Sequence, residues 1–157
     1  MADTSTPAPA PRTLTIGDSS VAAGPVGAGA PLAILSGPCQ IESADHGIMI
    51  AETLKRACAE RGLGFVFKAS YDKATRSSVG GERGLGLEEG LAALAAVRKA
   101  VGVPVITDVH EASHCAMVAE HCDALQIPAF LCRQTDLLLA AGQTGKPVNV
   151  KKGQFLA

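Results

Sequence analysis

The segment Lys68-Ala-Ser-Tyr-Asp-Lys-Ala-Thr-Arg-Ser-Ser78 sets Lys68, Lys73 and Arg76 within nine residues of a chain whose formal net charge is −1. Two unit charges about 4 Å apart repel by roughly 4 kcal/mol at an effective dielectric near 20. Such a cluster either splays into water as a solvated loop or gathers round an anion. The hydroxyls of Ser70, Ser77 and Ser78 lie in the same stretch and favour the anion, because cations, hydroxyls and backbone N–H groups together make phosphate sites. One phosphate does not need every cation here, so two anionic ligands are expected.

Four other groups have types that could do chemistry. Asp108 and His110 sit two residues apart and can form an acid–base pair, a ligand pair, or a cap for the helix that follows. Cys39 follows Gly37-Pro38; from its surroundings in sequence alone it reads more readily as a structural thiol than as a reactive one. His114, Cys115, His121 and Cys122 put like residues seven apart, on one helical face, which looks like a ligand set. An Ala-rich helix carrying His and Cys is more often packing, and that is the reading preferred here. The run Gly80-Gly-Glu-Arg-Gly-Leu-Gly86 opens a helix but follows a long loop, whereas a dinucleotide fingerprint follows a strand. It reads as a loop flanking a site.

The elements that must position these groups alternate. Leu32–Leu35 reads as a strand, and Ala44–Arg61 as a helix with Ile48, Ala51, Leu54, Lys55 and Cys58 at helical spacing, stopped at Gly62. Phe65–Ala69 is a strand, followed by a polar, glycine-rich loop to Gly86 and a helix over Leu87–Val101. Strands at Pro104–Val109, Ala124–Ile127 and Pro147–Lys151 then alternate with helices at Ala112–His121 and Gln134–Ala141. This order means parallel strands with covering helices, as in a doubly wound sheet or a (β/α)₈ barrel. The barrel is favoured because Lys68, Asp108, His110, Gln126 and Lys151 fall at the carboxyl ends of several strands, where barrel sites are built. Strand alternation puts Phe65 and Phe67 on one face and Val66, Lys68 and Ser70 on the other. With the apolar set against the helices, Lys68, Asp108, His110, Asn149 and Lys151 are expected to converge.

The bulk numbers set the frame. A length of 157 residues, 47% of them hydrophobic, fits one domain with a real core. The net charge of −1 lacks the basic footprint of a nucleic-acid binder, and no apolar run reaches the ~18 residues of a membrane span. Residues 1–30 read as a flexible tail in which Leu14, Ile16 and Val21 could form a short hairpin; residues 31–157 are the folded part. No basic segment precedes an apolar one as in a signal peptide, so a cytoplasmic location is expected. Five cysteines, an odd number without paired spacing, argue against a disulfide framework.

Taken together, "SGPCQIES" (36–43), "FKASYDKATRSS" (67–78), "ITDVHE" (106–111), "QIPAFLCRQTDLLLAA" (126–141) and "VNVKKGQF" (148–155) resemble the 3-deoxy-D-manno-octulosonate 8-phosphate synthases, also called 2-dehydro-3-deoxyphosphooctonate aldolases. The resemblance covers residues 30–157. It implies a cytoplasmic, usually homotetrameric (β/α)₈ barrel that condenses phosphoenolpyruvate with D-arabinose 5-phosphate on the route to lipopolysaccharide. By the same resemblance Lys68, Lys73 and Lys151 serve the phosphoenolpyruvate anion, and Arg76 and Ser77 grip the sugar phosphate. Asp108 lies beside the sugar aldehyde, and Arg133 is a site residue near a subunit contact. Ser70, Gln126 and Asn149 complete the substrate-binding set, with Lys73, Asp108 and His110 as the catalytic group. Cysteine after "GP" marks the metal-dependent class, so Cys39 looks like a ligand of a divalent metal ion.

There are departures from the family pattern. Thr75 stands where Asn is usual, and Gly80-Gly81-Glu82 replaces a His-Ser-aromatic segment. A (β/α)₈ barrel takes about 250 residues, so about five strands and four helices of it are expected here, without the family's other metal ligands. The chain on its own is therefore expected to associate and to lack synthase activity. The competing readings are the sister 3-deoxy-arabino-heptulosonate 7-phosphate synthase and a non-catalytic phosphosugar-binding half-barrel.

Overall fold

The computed structural model describes residues 12–74 and 78–156. The chain begins with an antiparallel hairpin, β1 (Thr13–Gly17) and β2 (Ala22–Gly27). Five parallel strands follow: β3 (Ala33–Ser36), β4 (Gly64–Lys68), β5 (Val105–Asp108), β6 (Ala124–Ile127) and β7 (Val148–Val150). The helices α1 (Ala44–Ala59), α2 (Leu87–Val101), α3 (Cys115–His121) and α4 (Thr135–Gln143) alternate with them.

The five strands lie side by side in sequence order, β3-β4-β5-β6-β7. A doubly wound sheet reverses direction part-way across; this one never does. The structure is a parallel-strand half-barrel with its helices outside. The Ser43 hydroxyl accepts from the His46 N–H at 3.2 Å and caps α1. The expected helix over 112–121 is split, since Ala112–His114 takes a tight 3₁₀ turn before α3 begins at Cys115.

Alternation along the strands separates two apolar layers. Phe65, Phe67, Val105, Leu125 and Ile127 pack against the helices, joined by Leu91, Leu94, Val97 and Leu137. Val66, Ile106 and Ala124 point the other way and meet Ile16 of the hairpin. Ile16 is buried, and Asp18 pairs with Arg98 of α2 at 2.6 Å, so the hairpin expected within residues 1–30 is part of the packed body. Its position under the inner face leaves the opposite, carboxyl ends of the strands for polar side chains.

Candidate active site

At the carboxyl ends of β4 to β7 a polar row crosses the sheet. The parallel register pairs Asp108 with Gln126 and Gln126 with Asn149, so side chains on neighbouring strands stand next to each other. Asn149 Nδ2 donates to Gln126 Oε1 at 3.0 Å, and Gln126 Nε2 donates to Asp108 Oδ1 at 2.9 Å. On the other side, Lys68 Nζ lies 3.0 Å from Asp108 Oδ1, and the Ser70 hydroxyl donates to Asp108 Oδ2 at 2.6 Å. Lys73 Nζ donates to Ser70 Oγ at 2.7 Å and sits 3.9 Å from Asp108 Oδ2. Lys68 also donates to Ser70 Oγ, at 3.0 Å. Ser70 thereby uses its single hydrogen and both lone pairs, which explains how a fully buried hydroxyl is stable there.

Backbone packing fixes this arrangement. Gly37 passes so close to β4 that a Cβ would stand 2.2 Å from the Lys68 carbonyl oxygen, so no larger residue fits. The Ile41 N–H donates to the Ser70 carbonyl at 3.0 Å, and Gln40 forms a bridge to Ser70. The turn carrying Cys39 is thus tied to the strand end carrying Ser70.

Electrostatics follow from the contacts. Asp108 is 7% exposed. Burial works to raise its carboxyl, but the Lys68 ammonium, the Ser70 hydroxyl and the Lys73 ammonium outweigh burial and hold it below the ordinary carboxylate range. It is ionised at neutral pH and acts as an acceptor. Two ammonium groups therefore face one carboxylate, and each has three donors. The surplus positive charge at a strand end is a ready anion site.

His110 is placed differently. Its ring lies 5.7 Å from that of Tyr71, edge to face, and Nδ1 is buried without a hydrogen-bond partner among the described residues. Burial lowers its pKa, a shift that the charges of Asp108 and Asp72 only partly offset. His110 is near the row but is not hydrogen-bonded into it through Nδ1. The Tyr71 hydroxyl meets His114 Nδ1 at 3.2 Å instead. Lys151 lies just past β7, exposed, with its N–H donating to the Ile127 carbonyl at 3.1 Å; among the described residues its side chain forms no ion pair. Arg133 is exposed in the turn before α4. Arg76 and Ser77 lie outside the described residues.

Cys39 is exposed, whereas Cys58, Cys115, Cys122 and Cys132 are buried, and all five are free thiols. It lines a cavity of about 540 Å³ with Gln40, Glu42, Glu82 and Gly84. Among the described residues no three His, Cys, Asp or Glu side chains come together as a metal site. One thiolate does not make such a site, so the residues described do not by themselves fit a bound metal. Cys115 of α3 and Cys122 just past its end are buried, and burial pushes the Cys122 thiol up to about 12. His121 Nδ1 meets the Met117 carbonyl at 3.0 Å. The seven-residue spacing reflects packing and local contacts.

Two forked ion pairs among the described residues escaped the reading of the sequence. Arg83 and Asp72 form a forked contact across eleven residues, and Arg98 forms another with Asp123 across twenty-five. Neither has a helical or strand spacing that could have flagged it.

The DAHP synthetase I family model matches residues 15–157. The chain belongs to that family. Within it, the similarity runs to proteins named 2-dehydro-3-deoxyphosphooctonate aldolase. The chain is 58% identical over 139 residues to the one from Rhodopseudomonas palustris (strain BisB5), 87% of this chain and 48% of that protein. It is 60% identical over 127 residues to that of Nitrobacter winogradskyi, 81% of this chain and 44% of the relative. For Caulobacter vibrioides (strain NA1000 / CB15N) the figure is 53% over 132 residues, 84% and 46%. The chain spans about half the length of the curated relatives it matches. No described helix is long and apolar enough to cross a membrane.

Proposed function

We propose that the protein condenses phosphoenolpyruvate with D-arabinose 5-phosphate to give 3-deoxy-D-manno-octulosonate 8-phosphate and phosphate. The observation that carries this reading is the paired lysines Lys68 and Lys73 on Ser70 and Asp108 at the carboxyl ends of parallel strands. It occurs in a chain 53–60% identical to proteins named for that product. The fold that goes with the reading is a (β/α)₈ barrel, of which this chain supplies about five strands and four helices, acting as a homotetramer in the cytoplasm.

The chemistry needs charge control more than it needs a strong base. C3 of phosphoenolpyruvate attacks the sugar aldehyde, water adds at C2, and the C2–O bond breaks to release phosphate. Lys68, Lys73 and Lys151 would hold the carboxylate and phosphate of phosphoenolpyruvate, where preorganised cations are effective against developing negative charge. Arg76 and Ser77 would hold the sugar phosphate. Asp108, ionised and buried, would orient the aldehyde end through a hydroxyl, with Gln126 and Asn149 fixing its position. His110, its pKa lowered by burial, would serve as a neutral proton relay. Arg133 would act at the margin, near a neighbouring subunit.

A divalent metal is the finer part of the proposal. Cys39 would supply one thiolate, and the remaining donors would come from outside the described residues.

The test is phosphate release by the intact protein supplied with phosphoenolpyruvate and either arabinose 5-phosphate or erythrose 4-phosphate. Turnover with the first and not the second is the expected result. The reverse preference would assign the sister heptulosonate reaction, and binding without turnover would assign a phosphosugar-binding module. Removal of metal by a chelator should abolish turnover, with recovery on adding a divalent ion.

A further inference from the structure

The loop that leaves β4 after Tyr71 returns to α2 with its two ends tied together. The Arg83 fork grips Asp72 through Nε at 2.8 Å and through a second, short contact from Nη2. The Arg83 carbonyl accepts the Lys73 N–H at 2.7 Å, and the Gly86 N–H donates to the Tyr71 carbonyl at 3.1 Å. Gly84 closes the seam: its φ is +113°, and a Cβ there would stand 2.6 Å from the Tyr71 carbonyl oxygen. One residue, Arg83, thus holds the side chain of position 72 and the backbone of position 73. Lys73 is the residue whose ammonium reaches back to Ser70 and Asp108.

The pair is poorly placed for a role in stability. The Arg83 side chain is 61% exposed, and exposed ion pairs contribute little to folding. What it does have is geometry. A guanidinium fork on a carboxylate fixes orientation as well as distance, which an ammonium cannot do. Asp72 is itself mostly covered, and the Arg83 fork, opposed only in part by burial, keeps its carboxyl below the usual range.

We infer that Arg83 is a positioning residue: with Asp72 it clamps the base of the loop so that Lys73 is presented to the anion site in a fixed direction. The inference rests on the proposed function for the identity of the anion, but not for the presence of the clamp.

The experiment uses the intact protein with Arg83→Ala and Arg83→Lys. Three quantities are measured: the KM for phosphoenolpyruvate, the Kd for inorganic phosphate, and amide exchange at Lys73. Arg83→Ala should raise both constants about tenfold and speed exchange at Lys73, with a melting temperature close to wild type. Arg83→Lys, which keeps the charge and loses the fork, should fall between. Faster exchange at Lys73 with unchanged KM and unchanged phosphate affinity would overturn the inference. So would equal behaviour of the Lys and Ala variants together with a collapse of the melting temperature, which would make Arg83 merely structural. A wild-type protein that does not turn over phosphoenolpyruvate would instead refute the proposed function. The phosphate arm would then decide the clamp alone: weaker binding by Arg83→Ala supports it, and equal binding overturns it.

Discussion

The same sheet carries a buried carboxylate at each end, and the two are built to opposite plans. At the carboxyl ends, Asp108 faces two ammonium groups, Lys68 and Lys73. At the amino ends, Asp123, just before β6, faces the single guanidinium of Arg98, which it meets through both oxygens at 2.9 and 3.0 Å. Asp123 also accepts the Val105 N–H at 2.9 Å, and Asp18 adds a second carboxylate to Arg98. One cluster has positive charge to spare. The other carries one more carboxylate than cation, the excess charge sitting on Asp18, which is over half exposed, and its buried Val105 N–H is satisfied. Burial of charge is therefore not what distinguishes a site from a strut; the sign of the leftover charge and how far it is covered are. A forked pair pins the hairpin and α2 to the sheet, while an unbalanced pair of lysines keeps capacity for something else.

The largest expected effect breaks the strut. Asp123→Ala leaves the buried Val105 N–H without its acceptor and the Arg98 guanidinium with only the exposed Asp18 carboxylate, and removing one member of a buried pair costs about 3–5 kcal/mol. Urea unfolding should report that loss, while the KM values of the folded protein stay near wild type. Lys73→Ala sharpens the comparison from the other side. Phosphate release should fall about 100-fold, the scale of removing one preorganised charge donor. The unfolding free energy should barely change, because loss of the Ser70 contact is offset by relief of two like charges sharing one hydroxyl. A large stability loss in this variant would mean that the two clusters are not different in kind.

Acid separates the groups further. His110 has a pKa lowered by burial, so the unfolded chain takes up a proton first as pH falls. The stability it contributes is complete above the unfolded value of about 6.5 and is lost as pH falls towards the lower folded value. Unfolding curves at pH 7.5 and 5.5 should show this slope, and His110→Gln should flatten it. Asp108, also lowered, contributes stability present above about 3.9 and lost as pH falls through its folded value, so its contribution shows only in stronger acid. The smallest effect belongs to Asp18→Ala. That carboxylate is over half exposed, and its loss should leave the urea midpoint indistinguishable from wild type.

Much of this was legible along the chain because strand periodicity is strict. Val66 and Lys68 share one face by strand alternation, as Ile106 and Asp108 do, and the structure joins Lys68, Asp108 and Asn149 in one row through Gln126, while Lys151, expected to converge with them, stands exposed past β7. Cys39 read from its neighbours as a structural thiol, and the resemblance set it apart; it is the exposed cysteine. What could not be read depends on contacts that no period encodes. Asp72 meets Arg83 only because the loop folds back, and Tyr71 meets His114 across two elements. His110 shares the parity of Asp108, yet it lies past the last residue of β5, where the pleat no longer governs direction. The chain there turns towards Tyr71. The 3₁₀ turn at Ala112–His114 was invisible for a similar reason, since a helical pattern does not reveal how its first turn is wound.

The polar row has a sense of direction. Asn149 donates to Gln126, Gln126 donates to Asp108, and no bond in that sequence points the other way. The amide of Gln126 is thereby locked in one orientation, since a flip would set oxygen against the carboxylate and N–H₂ against N–H₂. Linked dipoles polarise one another, so a change of charge at Asp108 is felt two strands away at the half-exposed rim. Asn149 is in effect a built-in gauge. The nitrogen resonance of its side-chain amide should move when the carboxylate is neutralised or engaged, giving a label-free readout of the buried site from its accessible edge.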